Sequence, residues 1–140
     1  MNEPLTESEI VDLLKGSKVF ASVPQSDLQA LAIGFVPRSF SPGEMAVREG
    51  ERGDEIFLVI QGQFEVFSSG KGEEKEILGT LGRGDLFGEM ATLTGGRRYA
   101  SVVASTEASA LVKPEAAFHK VLRSSRALSE AILRSLERYS

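Results

Sequence analysis

The residues with the most chemistry to offer lie in one stretch, from Phe87 to Val102. Gly88 lets the backbone turn and approach a ligand closely. Glu89 to Leu93 can form a short helical turn, whose first amides are open to an anion. Gly95 and Gly96 then reverse the chain, which returns Arg98 beside that helix start and just before a new strand. A guanidinium and a helix N-terminus converging on one point make an anion site, and a guanidinium is shaped to meet two phosphate oxygens. Glu89 would repel a bare anion. Its carboxylate makes sense if the ligand also offers hydroxyls, so the pair fits a phosphate and a sugar hydroxyl held close together. Taken alone, Glu89 and Arg98 would amount to a surface ion pair across a loop, which contributes little.

The rest of the composition narrows the field. A chain of 140 residues with 41% hydrophobic content is about one domain and can bury a core. With no cysteine, disulfides, thiolate catalysis and sulfur-ligated metals are excluded, and a reducing, cytoplasmic setting is the expectation. His119 is the only histidine, so a cupin-type metal centre of two or three histidines cannot be assembled, and no Ser-His-Asp or Cys-His arrangement is read in the sequence either. No catalytic residue and no metal ligand is expected. The net charge of −4 does not support a nucleic-acid-binding face. The arginines of the C-terminal helix (Arg123, Arg126, Arg134, Arg138) are diluted by Glu130 and Glu137. The start of the chain lacks the pattern of a signal peptide. No apolar run approaches the ~20 residues that span a bilayer.

Three zones position the chemistry. Residues 1–35 read as helices: Thr6 and Glu9 make a capping box, Ile10, Leu13 and Leu14 an apolar stripe, and Gly16 a stop. A second helix begins near Ser26, with Leu28, Leu31 and Ala32 inward. Residues 36–112 read as strands and turns. Strands are predicted over Glu55–Ile60, Gln63–Phe67, Lys75–Leu81, Ser101–Ala104 and Ala108–Val112. Turns fall at Ser41-Pro42-Gly43, Gln61-Gly62 and Gly82-Arg83-Gly84-Asp85, and glycines 43, 50, 53 and 62 read as turn positions. Short strands at this spacing predict a sandwich or barrel. Residues 114–140 are helical again. Pro114 is placed in a first turn, and Leu128, Ile132, Leu133 and Leu136 recur at helical spacing up to Tyr139.

Phe87-Gly88-Glu89-Met90-Ala91, a short gap, then Arg97-Arg98-Tyr99-Ala100-Ser101-Val102 resembles the phosphate-binding cassette of the cyclic-nucleotide-binding domain family. That family includes kinase regulatory subunits, catabolite activator proteins and gated channels. Pro42-Gly43-Glu44 and the run from Glu49 to Gly62 resemble its glycine-punctuated strands, so the resemblance spans nearly the whole chain. It implies a mainly β, α+β fold. This is an antiparallel jelly-roll β-sandwich, or barrel, with N-terminal helices, a short cassette helix and C-terminal helices, forming a single domain over residues 1–140 with its cassette at 85–102. It implies no enzyme and no cofactor. The ligand is cAMP or cGMP, with cAMP favoured.

The resemblance also implies roles. Arg98 takes the cyclic phosphate, with Ala100 and the Tyr99 backbone. Glu89 takes the ribose 2′-hydroxyl, with Gly88 and Met90 beside it. Tyr99, Leu133, Leu136 and Tyr139 are candidates for base contact. Tyr99 departs from the small residue usual in the family at that place, and Arg97 from the usual proline. The C-terminal helix is expected to move on binding, and it is also a candidate homodimer seam. The implied partner is an effector, either a separate protein or a domain missing from this stretch, with neither nucleic acid nor membrane expected. The alternative is a fold of this type that has lost its ligand and serves as an interaction scaffold.

Overall fold

The computed structural model describes residues 5–69, 75–88, 98 and 100–135. The first helix, α1 (Glu7–Lys15), starts at the predicted capping box. The Glu9 amide donates to Thr6 Oγ1 at 3.1 Å, and Glu9 Oε1 accepts from the Thr6 amide at 2.9 Å. It ends at Gly16. The second helix, α2 (Gln25–Ala32), begins one residue before the predicted Ser26, with Pro24 at its cap.

Among the described residues eight strands follow: β1 (Val36–Phe40), β2 (Met45–Val47), β3 (Glu55–Gln61), β4 (Phe64–Ser68), β5 (Glu76–Leu81), β6 (Leu86–Phe87), β7 (Ser101–Ala104) and β8 (Ala108–Pro114). They form two four-stranded sheets, ordered β1-β8-β3-β6 and β2-β7-β4-β5, and every recorded pairing is antiparallel. The expected antiparallel two-sheet fold is therefore present. Two C-terminal helices, α3 (Glu115–Ser124) and α4 (Arg126–Ser135), close the described chain.

Strand alternation builds two cores from the first sheet. Phe57 and Val59 of β3, Phe87 of β6 and Ala108, Ala110 and Val112 of β8 point between the sheets, where they meet Phe40, Phe64, Val66, Ala100 and Val102. There Phe57 and Phe87 stack with ring centroids 4.6 Å apart, and Phe64 packs on Phe87 at 5.3 Å. Ile56, Leu58, Leu86 and Leu111 point the other way, onto Leu14, Phe20, Leu28, Leu31, Phe118, Leu128 and Ile132 of the helical layer. Burial on both faces explains why β3 reads as one apolar run rather than an alternating one.

Three features differ from the sequence reading. Strand β8 runs past Val112 to Pro114, because Glu55 of β3 still pairs with Pro114 and the Glu115 amide donates to Asp54 O at 2.8 Å. Pro114 therefore caps α3 from outside instead of sitting in its first turn. Strand β5 buries only Leu81, although Lys75–Leu81 alternates. It is a sheet edge, and a bulge leaves Leu78 as an extra residue between the Val66–Gly79 and Phe67–Ile77 pairs. The expected cassette helix and residues 136–140 lie outside the described residues.

Lys113 is unannounced by the sequence. It is 2% exposed on the helix-facing side of β8. Its Nζ donates to the carbonyls of Leu31 at 2.8 Å and Ile33 at 2.6 Å, which end α2. An ammonium there meets otherwise unsatisfied carbonyls and the negative end of the helix dipole. Burial pushes its pKa down to about 8.

Candidate functional site: a seated arginine at the sandwich rim

Arg98 is 9% exposed, and its guanidinium rests on backbone. Nη2 donates to Glu55 O at 2.9 Å and Nη1 to Gly88 O at 3.1 Å. Its Cζ stands 6.0 Å from the Phe57 ring centroid, within range of a cation–π contact. The main chain is tied down as well. The Arg98 amide donates to Glu51 O and its carbonyl accepts from the Gly50 amide, both at 2.8 Å. The segment between β2 and β3 therefore clasps Arg98 on both sides of its Cα.

Two glycines make room for this seat. A side chain at Gly53 would place its Cβ 2.5 Å from Arg98 Nε and 2.8 Å from Nη1. A Cβ at Gly88 would lie 2.9 Å from Nη1 and 2.8 Å from Glu55 O, and Gly88 also has φ of 92°. Gly88 thus permits the turn expected of it, and the neighbour its missing Cβ admits is the arginine. Gly53 differs from the turn reading. Its φ is not positive, and what demands glycine there is the space that Arg98 fills. Gly43, Gly50 and Gly62 do have positive φ, as turn glycines should.

Supporting groups fix the clasp. Arg38 holds Glu55 in a two-bond fork, Nη1 to Oε1 at 3.0 Å and Nη2 to Oε2 at 2.8 Å. The Arg38 hydrogen bond keeps the Glu55 carboxyl below its ordinary pKa against the opposing effect of burial. Glu49 accepts from the Ser69 amide at 2.9 Å and Ser68 Oγ at 2.8 Å, which also lowers its pKa. Its own amide donates to Ser101 Oγ at 2.9 Å. One acid therefore joins the end of β4, the start of β7 and the segment that clasps Arg98.

Gly88 and Arg98, ten residues apart, are brought into contact, while the helix start expected beside Arg98 lies outside the described residues. Ala100 is 4% exposed and packs in the inner core with Phe57, Phe87 and Val102. Leu133 is 55% exposed on α4, whose Leu128, Ala131 and Ile132 are buried in the helical layer on the far side of the first sheet. Glu89, Met90, Arg97, Tyr99, Leu136 and Tyr139 lie outside the described residues. His119 faces Glu115 Oε1 at 3.2 Å, one turn away on α3. Sequence reasoning missed Gly53, Glu55 and Arg38. The signal for Gly53 was its place beside Asp54 and Glu55 in a matched motif, but nothing local shows which distant side chain needs its space. Among the described residues no group of three or more acids or histidines could hold a metal, and no helix is long and apolar enough to cross a membrane.

Comparison with known proteins agrees with this fold. The family described as cyclic nucleotide-binding domain matches residues 37–125, and the chain belongs to that family. The family is one of regulatory sensors, not of catalysts. The cyclic AMP receptor protein of Thermus thermophilus is 33% identical over 104 residues, covering 73% of this chain and 48% of that protein. The regulatory domain of Toxoplasma gondii protein kinase A, solved with cAMP, superposes with a TM-score of 0.83 at 22% identity, over 95% of this chain and 50% of that one. The regulatory subunit of a cAMP-independent protein kinase A from Trypanosoma brucei superposes equally well, with a TM-score of 0.82 at 21% identity, over 96% and 49%. The chain thus spans about half the length of these proteins.

Proposed function

We propose that this chain is a sensor module that binds a 3′,5′-cyclic nucleotide, cAMP in preference to cGMP, through Arg98. The observation that carries the reading is the seat of Arg98. A buried guanidinium is held by two carbonyls and given room by two glycines, so its fork is oriented before any ligand arrives. Preorganisation of this kind lowers the ordering cost of binding. In this reading Arg98, with Ala100 and the backbone of Tyr99, takes the cyclic phosphate. Glu89, with Gly88 and Met90, takes the ribose hydroxyl.

Base contact falls to Tyr99, Leu133, Leu136 and Tyr139. Leu133 stands exposed on α4, so reaching the base requires that helix to leave the helical layer. Ser125 is the hinge for such a movement. It is extended, it separates α3 from α4, and its Oγ caps α4 by accepting from the Leu128 amide at 3.1 Å. A ligand shifts the helix only by its difference in affinity for the two positions. An effector, as a separate protein or as a further domain, reads that position in a cytoplasmic setting, and a second copy packed along the helix is an alternative reader.

A second reading, a fold that no longer takes cyclic nucleotide, is favoured by the structural likeness to a cAMP-independent kinase subunit. Isothermal titration of the purified chain with cAMP and with cGMP separates the two. Saturable heat with cAMP, weaker heat with cGMP and loss of both in Arg98→Ala support the sensor. No heat and no thermal shift at millimolar nucleotide support the scaffold.

A further inference from the structure

Arg38 lies on β1 two residues before Phe40, and Glu55 lies on β3 two residues before Phe57. Phe40 and Phe57 both point into the sandwich, so alternation puts Arg38 and Glu55 on that same face, at its rim. Arg38 engages both carboxylate oxygens of Glu55. The carbonyl of the same Glu55 is one half of the Arg98 seat. Both guanidiniums stand over one ring, with Cζ atoms 5.8 Å (Arg38) and 6.0 Å (Arg98) from the Phe57 centroid. A carboxylate is therefore built into the residue that seats the proposed phosphate-binding cation. Left to itself, it has two costs for an anionic ligand. It repels the incoming phosphate, and it competes for the guanidinium. Attraction between Glu55 and Arg98 already helps keep the Glu55 carboxyl ionised, after the larger effect of Arg38. Asp54, next in sequence, adds a further negative charge that favours the Arg38 cation.

We propose that Arg38 is a positioning residue for anion binding: its fork turns the Glu55 carboxylate away from Arg98 and neutralises it, so Glu55 does not compete with the ligand's phosphate. The inference rests on the reading of Arg98 as the phosphate residue. It assigns to an arginine on the opposite edge of the sheet a role in affinity that contact with the ligand does not supply.

The test is a set of four proteins, wild type, Arg38→Ala, Glu55→Gln and the double variant, titrated calorimetrically with cAMP, with melting temperatures taken alongside. Arg38→Ala is expected to weaken binding about five-fold or more, as for loss of one partly screened charge pair. Glu55→Gln is expected to bind at least as well as wild type. The double variant is expected to return to within about two-fold of Glu55→Gln, because removing the acid removes the need for its partner. A merely structural ion pair predicts the reverse: Glu55→Gln and the double variant weaken as much as Arg38→Ala, in step with their melting temperatures. That result overturns the proposal, as does wild-type affinity in Arg38→Ala. Arg98→Ala is the separate control. If wild type binds and Arg98→Ala does not, the phosphate reading stands and the four-protein comparison judges Arg38 by itself. If wild type fails to bind, the phosphate reading falls and the inference falls with it.

Discussion

Gly53→Ala adds a single methyl group, and its effect can be worked from the seat of Arg98. The new Cβ would lie 2.5 Å from Nε and 2.8 Å from Nη1. Carbon and nitrogen atoms pack at about 3.5 Å, so the guanidinium must retreat by about 1 Å. A retreat of that size stretches the 2.9 Å bond to Glu55 O and the 3.1 Å bond to Gly88 O past hydrogen-bond range. Overpacking of a tight site costs about 1–3 kcal/mol, and a lost hydrogen bond from a charged donor falls in the same range. Gly53→Ala should therefore lower the melting temperature by several degrees and weaken cyclic-nucleotide binding by about ten-fold or more. Thermal unfolding and isothermal titration measure the two. Gly79→Ala is the matched control, because Gly79 lies in β5 with no positive φ and nothing within 4 Å of an added Cβ. If Gly53→Ala binds and melts like Gly79→Ala, the guanidinium does not occupy this seat and the reasoning fails.

Two further predictions concern the helical layer. The unfolded chain keeps the Lys113 proton up to about its ordinary 10.5, whereas the folded chain releases it near 8. Between those values the unfolded state binds more protons, so folding stability rises with pH from 8 towards 10. Denaturant unfolding at a series of pH values should show that rise in wild type and lose it in Lys113→Met. Thr6→Ala removes the side-chain half of the α1 capping box and should cost about 0.5–2 kcal/mol of stability with nucleotide affinity unchanged. Calorimetric unfolding together with one cAMP titration checks both halves of that statement.

What the sequence made legible follows from the range over which each cause acts. The capping box of α1 rests on Thr6 and Glu9, three residues apart, and it reads directly. Strands β3, β4 and β7 carry their own alternation or β-branched runs, and they fall within a residue or two of their predicted limits. The meeting of Gly88 and Arg98 involves residues only ten positions apart, within one short stretch of sequence. Strands β1, β2 and β6 were absorbed into a general strand-and-turn zone, since Pro37 interrupts the first and the others have only three and two residues. The edge character of β5 depends on sheet order, which its alternation does not encode. Gly53 serves a side chain 45 positions away, and Lys113 serves carbonyls about 80 positions away. A lysine at the end of a strand ordinarily reads as exposed, so nothing local could have announced a buried helix cap.

The central claim is that Arg98 is seated in advance to receive a cyclic phosphate. It is tested most directly by calorimetric titration of cAMP into wild type and Arg98→Ala under identical conditions. Saturable one-site binding in wild type, weakened by at least ~2 kcal/mol in Arg98→Ala while the melting profile of the free protein remains cooperative, is the predicted result. Equal affinity in the two proteins would contradict it.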